Sequence, residues 1–196
     1  GVAVDHRVHG VDDELRADDT SSRISAAGIE FIIDMATANP GEITFVSLAP
    51  NTPYAQALKK DPALAEKIKA VHMMAAAFDT DENRQRPEHN YVKDQPAFYD
   101  LVDSGIPIYL VPRDITQCLL LDTAVLEGRS KTSKLHETVW ELAQRFLKKM
   151  GRSEMRIADP ITVGTVVFPE LYTRMPAEVM RQGSRNQGGV VRPTEN

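Results

Sequence analysis

The chain has 196 residues, 42% hydrophobic and 26% charged, which suits one globular domain with a sizeable core. Its formal net charge of -5 argues against nucleic-acid binding, which shows as a basic patch. The single cysteine, Cys118, excludes an intramolecular disulfide framework and a cysteine-based zinc site, and no apolar run reaches the roughly 20 residues of a membrane span. An intracellular, cytoplasmic setting is the expectation, with Cys118 as a buried small apolar group.

Residues 1–20 are polar and read as a loop, with Asp12-Asp13 and Asp18-Asp19 as a solvated acidic stretch or as surrogate metal ligands. Ser21-Ser22 can cap a helix over about 23–38, in which Ile24, Ala27, Phe31 and Met35 recur at helical spacing. Asn39-Pro40-Gly41 stops it, and residues 43–48 suit a strand buried on both faces of a parallel sheet. Thr52 then caps a helix with Pro53 at its first position, and the pattern runs on across Asp61-Pro62 to Ile68. A strand over 70–74 follows, then a polar, proline-marked loop over 78–90. A helix over 94–103 stops at Gly105, and a strand over 106–111 comes next.

From Thr116 the pattern is helical, first over 119–126 and then over 135–150, with Leu135, Val139, Leu142, Phe146 and Met150 on one stripe. Trp140 reads as a packing residue there. Asp159-Pro160 opens a helix to about Phe168, and residues 177–182 and 189–192 can pair as a hairpin ahead of a short tail. Strands alternating with helices give right-handed βαβ units and a single α/β domain over 1–196. Ligands of open α/β sheets sit beyond the carboxyl ends of the strands, so the loops after Leu48, Met74 and Val111 matter most. Asp79 to Asn90 fails as an EF-hand because Arg84 stands where that loop needs glycine and Asn90 where it needs glutamate. The chain has no Gly-x-Gly-x-x-Gly and no P-loop.

Those loops carry Ala49-Pro50-Asn51-Thr52-Pro53, Met74-Ala75-Ala76-Ala77 and Glu88-His89-Asn90, followed by Asp94, by Val111-Pro112-Arg113-Asp114 and by Ala158-Asp159-Pro160. In order and spacing this series resembles the inosine-uridine preferring nucleoside hydrolases, from about His9 to Val191. The resemblance implies a Rossmann-like, mostly parallel sheet flanked by helices, truncated relative to the family. It implies hydrolysis of the N-glycosidic bond of purine or pyrimidine ribonucleosides to ribose and free base. It implies calcium, with Thr52 offering its main-chain carbonyl and Asp159 its carboxylate. Met74, Glu88 and Asn90 match groups that hold the ribose.

The chain departs from the family pattern as well. The family's Asp-x-Asp-Pro-Gly-x-Asp-Asp cluster, which supplies most calcium ligands and the general base, has no counterpart. Ala158 replaces a histidine that protonates the leaving base, and alanine transfers no proton. Ala75-Ala76 replace paired glycines, Pro53 replaces an asparagine, and Glu82 beside Asn83 stands where many members place a sugar-contacting asparagine. These departures imply impaired hydrolysis or, as the alternative, an inactive member serving as a structural or assembly subunit. Read from the residues alone, Thr52 and Asp159 also fit helix caps, and Glu88 and Asn90 also fit a solvated loop. A sheet lacking a strand exposes an edge, so association into a homo-oligomer or a larger assembly is expected.

Overall fold

The computed structural model describes residues 21–181 and 189–194, with side chains from residue 27. The loop expected over 1–20, including His6, His9 and the acidic pairs, lies outside the described residues. The chain divides into two compact units, Ser21–Cys118 with the segment from Ala158 onward, and Leu119–Ile157.

The larger unit opens with α1 (Ser21–Ala38), β1 (Thr44–Ser47), α2 (Thr52–Lys60), α3 (Leu64–Lys67) and β2 (Ala70–Met74). It continues with β3 (Ala77–Phe78), α4 (Asp81–Gln85), α5 (His89–Lys93), α6 (Gln95–Val102), β4 (Ile108–Val111) and α7 (Arg113–Gln117). After the smaller unit it resumes with α10 (Ala158–Val167), a 3-10 turn at Pro169–Leu171, β7 (Ala177–Met180) and β8 (Val190–Pro193). The smaller unit holds β5 (Leu120–Leu121), α8 (Thr123–Ser130), α9 (Lys134–Met150) and β6 (Met155–Arg156).

β1, β2 and β4 form a parallel sheet in that order, with Phe45 opposite Val71 and Met73 opposite Leu110. All five residues of β2 are buried, as the central strand of a sheet covered on both faces requires. Its side chains alternate: Val71 and Met73 join the core with Ile32, Ala36, Leu64, Phe98 and Leu101, while His72 meets Thr165 of α10. β3 pairs parallel to β8, and β8 pairs antiparallel to β7, Val179 opposite Val191.

Several expectations are corrected. α1 turns Ile29, Ile32, Ile33 and Ala36 toward the core and leaves Ala27 and Phe31 exposed, so the inner face is one residue away from the expected stripe. β1 is only partly buried because it is an outer strand. The helix expected across Asp61-Pro62 breaks there, with Asp61 extended at φ -130° and ψ 92°, because a residue before proline is pushed out of the helical region. The polar stretch 78–90 is not a plain loop: Thr80 caps α4 through the Asn83 N–H, and Glu88 caps α5. The expected helix over 119–126 starts instead at Thr123, after the short strand β5. α9 has its Ser133 cap and left-handed Gly151 stop, yet Leu135, Val139 and Leu142 are exposed and Ala143 is the buried residue. Cys118 is exposed, its thiol 3.1 Å from the Asp114 carbonyl.

Candidate functional site

β1 ends at buried Ser47, whose hydroxyl donates to Asn51 Oδ1 at 2.8 Å. Asn51, not Thr52, occupies the cap position of α2; it is 1% exposed, and its Nδ2 has no partner among the described residues. Thr52 stands in the first turn, and its hydroxyl donates to Asp94 Oδ2 at 2.5 Å. The other oxygen of Asp94 accepts from the Ala97 N–H at 3.1 Å and caps α6.

β2 ends at buried Met74, followed by the three alanines. Ala76 has φ +68°, a left-handed backbone in which a Cβ is unfavourable. Its carbonyl accepts from the Arg113 N–H at 3.0 Å. Its N–H lies near the Glu88 carboxylate and favours the anion. Glu88 is 3% exposed and accepts from the N–H groups of Asn90 and Tyr91, both at 2.9 Å. Burial pushes the Glu88 carboxyl above its ordinary range, against the backbone donors and the Arg113 charge that favour the anion. The Asn90 Nδ2 donates to the Met74 carbonyl at 2.9 Å, with the Leu48 carbonyl and Met74 Sδ each at 3.5 Å.

Met74, Glu88 and Asn90 therefore meet at the carboxyl end of β2 and reach across to the end of β1. α5 is the bridge. Glu88 before it gathers the N–H groups of Asn90 and Tyr91, and Asp94 after it holds Thr52. The structure also recruits residues that sequence reading left aside. Asn83 is buried and fully engaged: its Nδ2 donates to the Phe78 carbonyl and Asp114 Oδ1, and its Oδ1 accepts from Arg113. Arg113 also donates to the Arg86 carbonyl, while Asp114 Oδ2 accepts from the Phe78 N–H at 2.7 Å. Asn83 thus ties the β3–α4 turn to α7. The signals in the sequence were the Thr80-to-Asn83 capping spacing and the Asn51-Thr52-Pro53 helix start.

Asp159 comes from elsewhere in the chain. It lies exposed in the first turn of α10, which packs on β2 and α7. Calcium takes about six to eight oxygen ligands. Among the described residues no group of three or more His, Cys, Asp or Glu is placed to hold a metal ion. Thr52 and Asp159 by themselves do not make a calcium site. A cleft of about 420 Å³ opens at the carboxyl end of β1, lined chiefly by Gly28, Ile32, Val46, Leu48, Pro53 and Tyr54. Thr52, Glu88, Asn90 and Asp159 are not among its lining residues. No helix among the described residues is long and apolar enough to cross a membrane.

Comparison with known proteins bears on the family and the fold. The family model described as inosine-uridine preferring nucleoside hydrolase matches residues 2–196. A probable uridine nucleosidase 2 of Oryza sativa subsp. japonica is 28% identical over 160 residues, 79% of this chain and 48% of that protein. A plant nucleoside hydrolase of known structure superposes with a TM-score of 0.70 at 26% identity, over 84% of this chain and 54% of the other. A purine-preferring ribonucleoside hydrolase from Gardnerella vaginalis superposes with a TM-score of 0.69 at 25% identity, over 83% and 54%. The chain spans about half the length of the curated relatives it matches. With the family model spanning nearly the whole sequence, the chain belongs to the inosine-uridine preferring nucleoside hydrolase family.

Proposed function

We propose that this protein acts on ribonucleosides, by hydrolysis of the N-glycosidic bond to ribose and free base, and that its hydrolysis is slow. The junction of Met74, Glu88 and Asn90 at the carboxyl ends of β1 and β2 carries this reading. Glu88 and Asn90 are the polar partners offered to the ribose hydroxyls, and Met74 packs beside the sugar. As the sugar develops oxocarbenium character, the Glu88 carboxylate, held by backbone donors, supplies negative charge close by. Thr52 and Asp159 remain candidate oxygen donors for calcium, short of the number that ion takes.

Slowness follows from Ala158. A leaving base departs more easily once protonated, and a methyl group donates no proton. One observation favours the second reading, an assembly subunit without turnover. The Glu88 carboxylate already accepts from the N–H groups of Asn90 and Tyr91, one on each oxygen, which leaves roughly two of its four acceptor sites for a ligand.

Ribose release from inosine and uridine, measured with calcium and with chelator, separates the two. Calcium-dependent release that falls about 100-fold in Asn90→Ala supports the hydrolase. No release, with ribose binding retained and lost in Asn90→Ala, supports the subunit. Release unaffected by Asn90→Ala overturns the site assignment.

A further inference from the structure

Leu135, Val139, Leu142, Phe146 and Met150 recur along α9 at spacings of four, three, four and four residues. At about 100° per residue they fall within an arc of roughly 60°. Leu135 is 70% exposed, Leu142 51% and Val139 40%, while Phe146 and Met150 are half-buried. α9 packs against α8, and Ala143, beside one border of the arc, is its buried residue. Arg145 and Lys149 stand along the opposite border. The acids of the helix, Glu137 and Glu141, lie roughly 150° or more from the middle of the arc, on the far face. Residues 119–157 carry eight Lys and Arg against five Asp and Glu, so this unit is basic within a chain whose net charge is -5. An amphipathic helix draws its stability from covering its apolar face rather than from propensity, and among the described residues this face is uncovered.

We infer that this stripe of α9 is a docking seam for a partner helix that brings an apolar seam of its own edged with acidic residues. The width of the arc selects a helix. A seam of about two residues per heptad takes one partner helix, knob into hole, whereas a helix resting on a broad apolar surface shows a face of about 100° or more. The charge at the border selects an acidic partner, because the residues that flank such a seam set partner choice. Arg145 and Lys149 edge it, with no acid on that side. A second copy of α9 fits poorly. An antiparallel pair brings the Arg145 and Lys149 border against itself, and like charges across an interface cost affinity. A parallel pair presses that border against the side on which Ala143 is already buried.

The seam does not depend on turnover at the Met74, Glu88 and Asn90 junction, and it is tested on the whole chain by fluorescence anisotropy. The probe is a labelled three-heptad peptide with leucine at a and d and glutamate at e and g, whose like charges keep it from pairing with itself. Saturable binding is expected, with binding at least about tenfold weaker for the counterpart that carries lysine at e and g. Leu142→Glu is expected to weaken the glutamate peptide about tenfold or more, since it sets a charge in the middle of the seam. Arg145→Glu together with Lys149→Glu is expected to reverse the preference between the two peptides. Leu142 is exposed, so Leu142→Glu should leave the far-UV dichroism and the Tm of the chain alone unchanged. A lowered Tm means that the seam is already covered within the chain, and overturns the inference. So do absence of saturable binding, equal binding of the two peptides, and binding that Leu142→Glu leaves intact. A dimer seen by light scattering and lost in Leu142→Glu gives the seam to a second copy. Sedimentation with phosphatidylserine vesicles, lost in the same variant, gives it to a lipid surface. Either result overturns the acidic helix as its occupant.

Discussion

Ala76 is the residue at which backbone, site and sequence meet. Its φ of +68° is one that L-residues avoid, by about 1–2 kcal/mol. Its surroundings hold it there: the Arg113 N–H on its carbonyl, the Glu88 carboxylate near its N–H, and burial to 0% exposure. The alanine pair stands where the family pattern has glycines, which take this conformation freely. Ala76→Gly is therefore expected to stabilise the protein by about 1 kcal/mol, partly offset by greater freedom of the unfolded chain, and to raise Tm by about 3 °C. Calorimetry of the two forms checks it, and an unchanged or lower Tm would mean that the pocket floor has relaxed around the methyl group. None of this strain can be read from three consecutive alanines, because the sequence does not say which of them turns left-handed.

At the scale of elements, the short strand β8 is decided by one close approach. Gly189 has φ +73°, and a Cβ placed there would lie 2.4 Å from the Tyr91 ring. Tyr91 is itself fixed, buried at 1% exposure and packed edge-on against Phe98 and Tyr99. The Gly189 N–H donates to the Tyr99 hydroxyl and its carbonyl accepts from the Ala77 N–H, so this residue docks β8 beside β3. Gly189→Ala combines backbone strain with overpacking and is expected to cost about 2–4 kcal/mol. Urea denaturation gives the value, and a cost below about 1 kcal/mol would show that β8 docks without this contact. Helix limits were mostly legible. Asp94-Gln-Pro announces α6 and Ser133 announces α9, since caps are local chemistry. The helices within 78–93 were less legible, because α4 and α5 are each five residues long, too short to show a period, and Asn83 is held by Asp114 across the fold; their local caps, Thr80 and Glu88, were the only signal.

For the molecule as a whole, the parallel sheet has β1 and β4 as its outer strands among the described residues. Strand edges with unpaired backbone groups invite partners. α10 and the turn after it add exposed Val166, Val167, Phe168, Leu171 and Met175. Isolated exposed apolar residues are ordinary, but a run of large ones within a single turn-helix segment suits an interface. Association, with itself or with another protein, is the expected state. Size-exclusion chromatography with light scattering should show a species larger than the 21.8 kDa chain. A stable monomer that remains soluble at high concentration would count against it.

By itself the sequence determined the fold class, three strands of a parallel sheet and the family, because these rest on short-range periodicity and on the order of motifs along the chain; the β1–β2–β4 order came from the tertiary structure. It also named Met74, Glu88 and Asn90 together. Only the tertiary structure decided how they meet: Glu88 as a buried cap gathering the N–H groups of Asn90 and Tyr91, and Asn90 as a tie between the ends of two strands. It likewise chose the inner face of α1 and set His72 against Thr165. Partners 93 residues apart are brought together by packing, and spacing along a chain carries no record of which buried donor will find which acceptor.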